Sequence, residues 1–239
     1  MRIPILMALA LAGCLPRSAT HPDGDLHISR CAALLHRSAL AQARAECLLA
    51  LQYNPDSPDA LVNLGLIEYR EGKADAARAA WIKAARVNND NAQAYNNLGV
   101  LALEEGDVRA AESRFERALK VDPRYLEARK NLAVSQVRLH KLDEAELTLR
   151  MMIAVAPLLS EPYHDLGRIR LQRGDARAAA GWFEQAVQLE VGYAEAWKGL
   201  AAAREQLGEA HSAADAFGAC VDAAPEDLEC RAGLQRTVR

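Results

Sequence analysis

Asn63-Leu64-Gly65 returns as Asn97-Leu98-Gly99, Asn131-Leu132-Ala133, Asp165-Leu166-Gly167 and Gly199-Leu200-Ala201, each 34 residues after the one before. A fixed period of this size marks a repeat architecture and takes precedence over local readings. Other positions keep the same phase. Glycines recur at Gly72, Gly106, Gly174 and Gly208, with His140 where the third unit departs. Alanines recur at Ala77, Ala111, Ala145, Ala179 and Ala213, and bulky residues at Trp81, Phe115, Leu149, Phe183 and Phe217. Next come Ala84, Ala118, Met152, Ala186 and Cys220, and units close at Pro123, Pro157 and Pro225, with Asn89 and Val191 in that phase.

One unit reads as a helical hairpin. Leu61, Leu64 and Gly65 share a face at helical spacing. Gly72 supplies the left-handed backbone of a tight turn. Ala77, Trp81 and Ala84 then line the facing side of a second helix. Small residues at Gly65 and Ala77 let the two backbones approach, while Trp81 fills the space beside them. A hairpin of this size cannot bury its face alone, so neighbours must stack.

The composition agrees. The chain has 239 residues, is 51% apolar and 26% charged, and is only 5% aromatic. Its 48 alanines suit closely packed helices. A net charge of −3 argues against both disorder and a nucleic-acid partner.

These repeats resemble the tetratricopeptide repeat (TPR). Five units keep strict phase: 58–91, 92–125, 126–159, 160–193 and 194–227. A degenerate unit occupies 24–57, and 228–239 restarts the phase with Leu234 as a capping half-repeat. The resemblance implies an all-α, right-handed α-α superhelix of about six hairpins plus a C-terminal cap, one domain over 24–239.

The N-terminus reads as a processing segment. Arg2 precedes an apolar run from Ile3 to Leu11 and the small Ala12-Gly13, the pattern of an export signal and too short to span a bilayer. Leu11-Ala12-Gly13-Cys14 resembles the lipobox of bacterial lipoproteins, which implies cleavage after residue 13 and acylation of Cys14. Residues 14–23 would then form a tether, and Leu15 after the cysteine favours the outer membrane, facing the periplasm.

Four cysteines remain: Cys31, Cys47, Cys220 and Cys230. Export to an oxidising compartment and an even count favour disulfides. Three pairings are possible, and position favours Cys31–Cys47 and Cys220–Cys230. The repeat phase puts Cys31 and Cys47 on facing sides of the degenerate hairpin that precedes the five strict units, and Cys230 on the cap beside the helix of Cys220. His27 and Cys31 share a helical face, but with no CxxC spacing a metal site is not expected.

No catalytic constellation is expected either. Ser160, His164 and Asp165 supply triad residue types, but within a turn and a half of one helix they cannot serve as nucleophile, base and orienter. Gly65 and Gly72-Lys73 are too far apart for a phosphate loop, and Ala74 stands where Ser or Thr is needed. The reading is a non-enzyme without cofactor.

In the TPR family, function usually lies on the concave face lined by the first helices. Positions transferred from that family give Asn63, Asn97 and Asn131 as an asparagine ladder able to hold an extended peptide backbone. Beside it run Val62, Leu66 and Tyr69, then Val100 and Leu103, then Val134 and Val137, an apolar stripe on a wet face. Lys130, Arg138 and Arg168 border it and suit acidic groups. The same asparagines are also generic at this phase of the family, and the valines have an alternative place against neighbouring helices.

Lipobox and six repeats together resemble the pilotin lipoproteins that assist type IV pilus secretins. The expectation is a lipid-anchored periplasmic adaptor that binds a partner polypeptide in its groove. Two alternatives stand beside it: a structural subunit of an envelope secretion or motility machine, and an adaptor for peptidoglycan hydrolases.

Overall fold

The computed structural model describes residues 22–237, so the leader, Cys14 and all but the end of the proposed tether lie outside the described residues. Among the described residues there are thirteen α-helices and no strand. None of these helices is long and apolar enough to cross a membrane. The chain divides into two compact units on either side of the Val87–Asn88 bond.

The first unit holds α1 (Pro22–His36), α2 (Leu40–Tyr53), α3 (Pro58–Arg70) and α4 (Ala74–Val87). The second holds α5 (Ala92–Glu104), α6 (Val108–Val121), α7 (Leu126–Arg138), α8 (Leu142–Val155), α9 (Glu161–Gln172), α10 (Ala176–Leu189), α11 (Ala194–Gln206), α12 (Ala210–Ala223) and α13 (Leu228–Thr237). Each odd helix from α1 to α11 pairs with the next even one, and α13 packs on α12. Within the second unit α5 also touches α7 and α9 touches α11, so the first helices of these hairpins lie side by side.

Local chemistry explains where helices stop and start. The Ser57, Asn91, Asp107 and Asp175 side chains accept from the backbone N–H three residues on, which satisfies donors that the first helical turn leaves open. The turn inside a hairpin needs one residue at positive φ. Gly106 takes it at 83°, whereas the third hairpin puts His140 there at 59°, a conformation that strains a side-chain-bearing residue. Second helices end in extended residues such as Asn54 and Asp122, which precede Pro55 and Pro123 because proline disfavours a helical predecessor.

The core follows the repeat phase. A Cβ on Gly65 would lie 2.3 Å from the Trp81 ring, on Gly99 2.5 Å from Phe115, and on Gly167 2.7 Å from Phe183. Each glycine therefore makes room for an aromatic ring of its own hairpin. Phe183 also lies against Gly199, and Phe217 against Gly233 of the cap. Glycine thus occupies in the last repeats the place where the first three have asparagine.

Disulfides close both ends. Cys31 is bonded to Cys47 between α1 and α2, with Cα atoms 5.4 Å apart, and Cys220 to Cys230 between α12 and α13, with Cα atoms 5.8 Å apart. All four cysteines are fully buried.

Charged pairs join one hairpin to the next at a recurring place on the second helix. Arg44 bonds Glu68 and Glu71, Glu112 accepts from Lys141 at 2.8 Å, and Glu146 accepts from Arg170 and Arg150. At this phase the second helix carries Arg44 in the degenerate hairpin and Glu112 and Glu146 in two later ones. Burial opposes the charge of Glu146, but hydrogen bonds from Arg150 and Arg170 outweigh it and hold this carboxyl below the usual carboxylate range. Glu146→Gln is expected to lower stability by about 2 kcal/mol near neutral pH. A carboxyl depressed on folding contributes fully above its unfolded pKa, and that contribution is lost as pH falls through the folded value. Urea midpoints of both proteins should therefore differ at about pH 7 and converge at about pH 3; a constant gap would contradict this assignment.

Candidate functional site

In the first unit, the residues predicted to face a ligand do not all do so. Val62 is only 1% exposed, and its carbonyl accepts the Trp81 indole N–H at 3.1 Å. It belongs to the core and not to an open face, because the Trp81 ring lies over the neighbouring Gly65 and draws this turn of α3 inward. Asn63 is half-buried. Leu66 packs against the cluster around Cys31, Cys47 and Ile67, and the Tyr69 ring lies 5.9 Å from that of Trp81.

In the second unit, Val100 and Leu103 pack partly buried against the Phe115 cluster. Asn97 is half-buried, and its amide nitrogen finds no hydrogen-bond partner among the described residues. The Asn131 amide donates to the Asn96 carbonyl oxygen at 3.1 Å. Asn96 is buried, and a buried carboxamide needs a partner; part of the asparagine series is therefore occupied within the protein. Lys130 pairs with Glu161 of the next hairpin at 2.5 Å.

Val134, Val137, Arg138 and Arg168 do come together. They line a cavity of about 540 Å³ between α7 and α9, with Asp165, Ile169, Leu171 and Gln172 across from them and Ala133 and Leu149 also in its wall. Helical spacing explains the convergence. Residues 134, 137 and 138 form one stripe of α7, while 165, 168, 169 and 172 form one stripe of α9. Arg168 is exposed and lies 3.6 Å from the Asp165 carboxylate. The wall is thus apolar and its rim carries two guanidinium groups to one carboxylate, which suits an amphipathic segment with negative charge.

Triad residue types in α9 have structural roles. The Ser160 hydroxyl donates to Glu190. His164 is buried, its Nδ1 3.3 Å from Asp165 but not aligned for a hydrogen bond. Its ring packs between Phe183 and Tyr193, at 5.7 Å and 5.0 Å. Burial, with Asp165 and Glu161 nearby, pushes the Tyr193 phenol up. Among the described residues no cluster of His, Cys, Asp and Glu could hold a metal ion.

Sequence reading missed Ala133, Leu149, Asp165, Ile169, Leu171 and Gln172 as cavity residues. A signal for Leu149 was present, because it breaks the aromatic series Trp81, Phe115, Phe183 and Phe217. The α9 residues had no such signal, since their stripe gains meaning only opposite α7.

Solved structures share this architecture. A Pseudomonas aeruginosa pilF structure superposes with a TM-score of 0.77 at 18% identity, covering 90% of this chain and 97% of that one. PilW, described as a widely conserved type IV pilus biogenesis factor, gives 0.74 at 20% identity over 92% of this chain and 100% of its own. YrrB, described as a TPR protein with an unusual peptide-binding site, gives 0.66 at 17% identity over 79% and 97%. These are likenesses of fold. No curated protein matches the sequence. Profiles of the tetratricopeptide repeat match residues 56–124, 102–167 and 164–227, an unbroken span of more than half the chain whose glycines, aromatics and paired helices are those of the structure, and the chain belongs to the tetratricopeptide-repeat family.

Proposed function

We propose that this chain is a lipid-anchored adaptor of the bacterial envelope, bound to the outer membrane through Cys14 and facing the periplasm, that holds a partner polypeptide against its first helices. The observation that carries the reading is the cavity between α7 and α9, apolar in its wall and cationic at its rim. Stacked hairpins provide a preformed surface of this kind, which lowers the ordering cost of binding an extended segment. The type IV pilus titles of two fold neighbours support a partner from a pilus or secretin complex. Acyl chains on Cys14 would keep adaptor and partner concentrated at one membrane.

A photo-crosslinking residue placed at Arg168, which is exposed beside the cavity, tests the reading in intact cells. The expected result is one dominant envelope polypeptide, lost when Val134 and Val137 of the cavity wall are both replaced by aspartate. Capture of no polypeptide, or of cytoplasmic proteins alone, would overturn it. Labelled palmitate incorporated into the wild type and absent from Cys14→Ser is the expectation for the anchor; equal labelling would remove that part.

One observation favours the structural-subunit alternative. Leu147 and Met151 on α8 and Leu158 in the following loop are 61%, 48% and 82% exposed, and equivalent places in the next repeat are Gly181, Gln185 and Gly192. Leu147 and Met151 sit one turn apart on an outward helix face, as an anchor for a permanent neighbour would. Crosslinks from Leu147 outlasting those from Arg168 would support that second reading.

A further inference from the structure

Along one edge of the second unit, the loops that join each second helix to the following first helix change character. Those at 88–91 and 122–125 read Asn-Asn-Asp-Asn and Asp-Pro-Arg-Tyr, whereas the next three bring Leu158, Val191 and, at the head of α13, Leu228. These are the three most exposed large apolar side chains among the described residues, with Val191 at 71% and Leu228 at 75%. The edge is continuous. The Ser160 hydroxyl ties the first of the three loops to Glu190 of the second. Lys198 of α11 then meets Asp227 of the third loop and Glu229 of α13, each at 3.0 Å. An aliphatic side chain at a loop tip adds little to the core of its own hairpin, and three in a row form an apolar strip that another molecule can cover.

We propose that this edge is a docking surface, separate from the first-helix face, for a polypeptide segment that carries basic and aliphatic side chains together. Charge selects the occupant. Lys130 pairs with Glu161, Arg231 lies 3.7 Å from Glu226, and Lys198 is shared by two carboxylates. Among the described residues no cation pairs with Glu190 or Glu195, so the strip lies in an excess of negative charge. An anionic lipid surface, or a second copy presenting the same edge, would meet like charge there. A cationic segment is attracted. A cavity of about 330 Å³ between the first two of these loops receives one basic side chain. Leu159 and the Tyr193 ring line it for the carbons of a lysine or arginine, and Glu161 and Glu190 stand there to meet the charged head. Aliphatic neighbours of that side chain then cover Leu158 and Val191. This cavity shares no residue with the one between α7 and α9, so the docking edge stands or falls apart from the adaptor reading.

A short fluorescent peptide alternating leucine and arginine is the probe, measured by anisotropy on the full chain beside leucine-glutamate and serine-arginine peptides. Expected is binding of the leucine-arginine peptide, with both others at least about ten-fold weaker. Leu158→Ser with Val191→Ser and Leu228→Ser removes the strip at exposed positions outside the core. Glu190→Gln with Glu195→Gln removes the unpaired charge. Either set is expected to weaken the leucine-arginine peptide about ten-fold. Val134→Asp with Val137→Asp, on the first-helix face, should leave its affinity unchanged. No binding of this peptide, or equal binding by the loop variant and the wild type, would overturn the docking edge. Equal affinity for the serine-arginine peptide would reduce the contact to charge alone and overturn it too. Loss of binding in Val134→Asp with Val137→Asp would move the peptide to the first-helix face, overturning the edge while the adaptor reading stands. Co-sedimentation of the wild type with phosphatidylglycerol vesicles, absent from the loop variant, would assign the strip to lipid and overturn the polypeptide.

Discussion

Phe183→Ala is expected to destabilise the protein by about 4 kcal/mol, within the range for deleting a fully buried ring. Phe183 has no exposed surface and lies between Gly167 of its own hairpin and Gly199 of the next, each of which would bring a Cβ within 3 Å of the ring. Its loss opens a cavity at two interfaces at once. In a linear array each repeat is held chiefly by its neighbours, so the damage should be read first in α9 to α11. Gly167→Ala tests the same contact from the other side and is expected to cost about 2 kcal/mol through overpacking. The third hairpin shows how the conflict can be relieved, since it pairs Ala133 with Leu149. Gly167→Ala combined with Phe183→Leu should therefore cost about 1 kcal/mol less than the sum of the two single changes. Urea midpoints followed by helix circular dichroism measure all of these, and additivity to within about 0.5 kcal/mol would refute the pairing.

Breaking the Cys31–Cys47 bond carries the other large effect. Sixteen residues separate the two cysteines, and a loop of that length contributes about 3 kcal/mol in the chain-entropy account. The bond lies in the hairpin that begins the array, where a neighbour is present on one side only and fraying starts. His27 meets Glu46 at 2.6 Å and stacks on Tyr53 at 5.6 Å, and the Arg70 guanidinium donates to the Leu35 carbonyl at 2.9 Å. Cys31→Ser with Cys47→Ser is expected to lower the unfolding midpoint and to raise hydrogen exchange over 22–53, leaving α9 to α12 protected. Mass spectrometry of the unreduced protein should find no free thiol among the four cysteines. Four free thiols would remove the assignment, and uniform loss of protection along the chain would show that the end hairpin is not an independent weak point.

Much of this was legible in the residues. The 34-residue step gave the all-helical repeat, because small residues and a bulky one recur in phase where two backbones approach, even where the third strict unit substitutes Ala133, His140 and Leu149. Position along the chain favoured the cysteine pairings now seen, and the repeat phase agreed with it. What phase does not carry is the direction of a side chain relative to a neighbouring hairpin. Val62 shared the spacing of the apolar stripe, yet the Trp81 indole draws it into the core. Asn131 belonged to a ladder on paper and is engaged by Asn96 one repeat earlier. Lys130, read as a contact for a partner, already holds Glu161.

By itself the sequence determined the all-helical repeat and the place of each turn, since these depend on local backbone needs and on a period that any one unit repeats. Only the tertiary structure decided which of the predicted surface residues are free to bind. That question depends on packing between hairpins, where side chains of α7 and α9 meet around a cavity that neither helix forms alone. Helical periodicity is a property of one strand of chain, and a cavity is a property of two helices brought side by side.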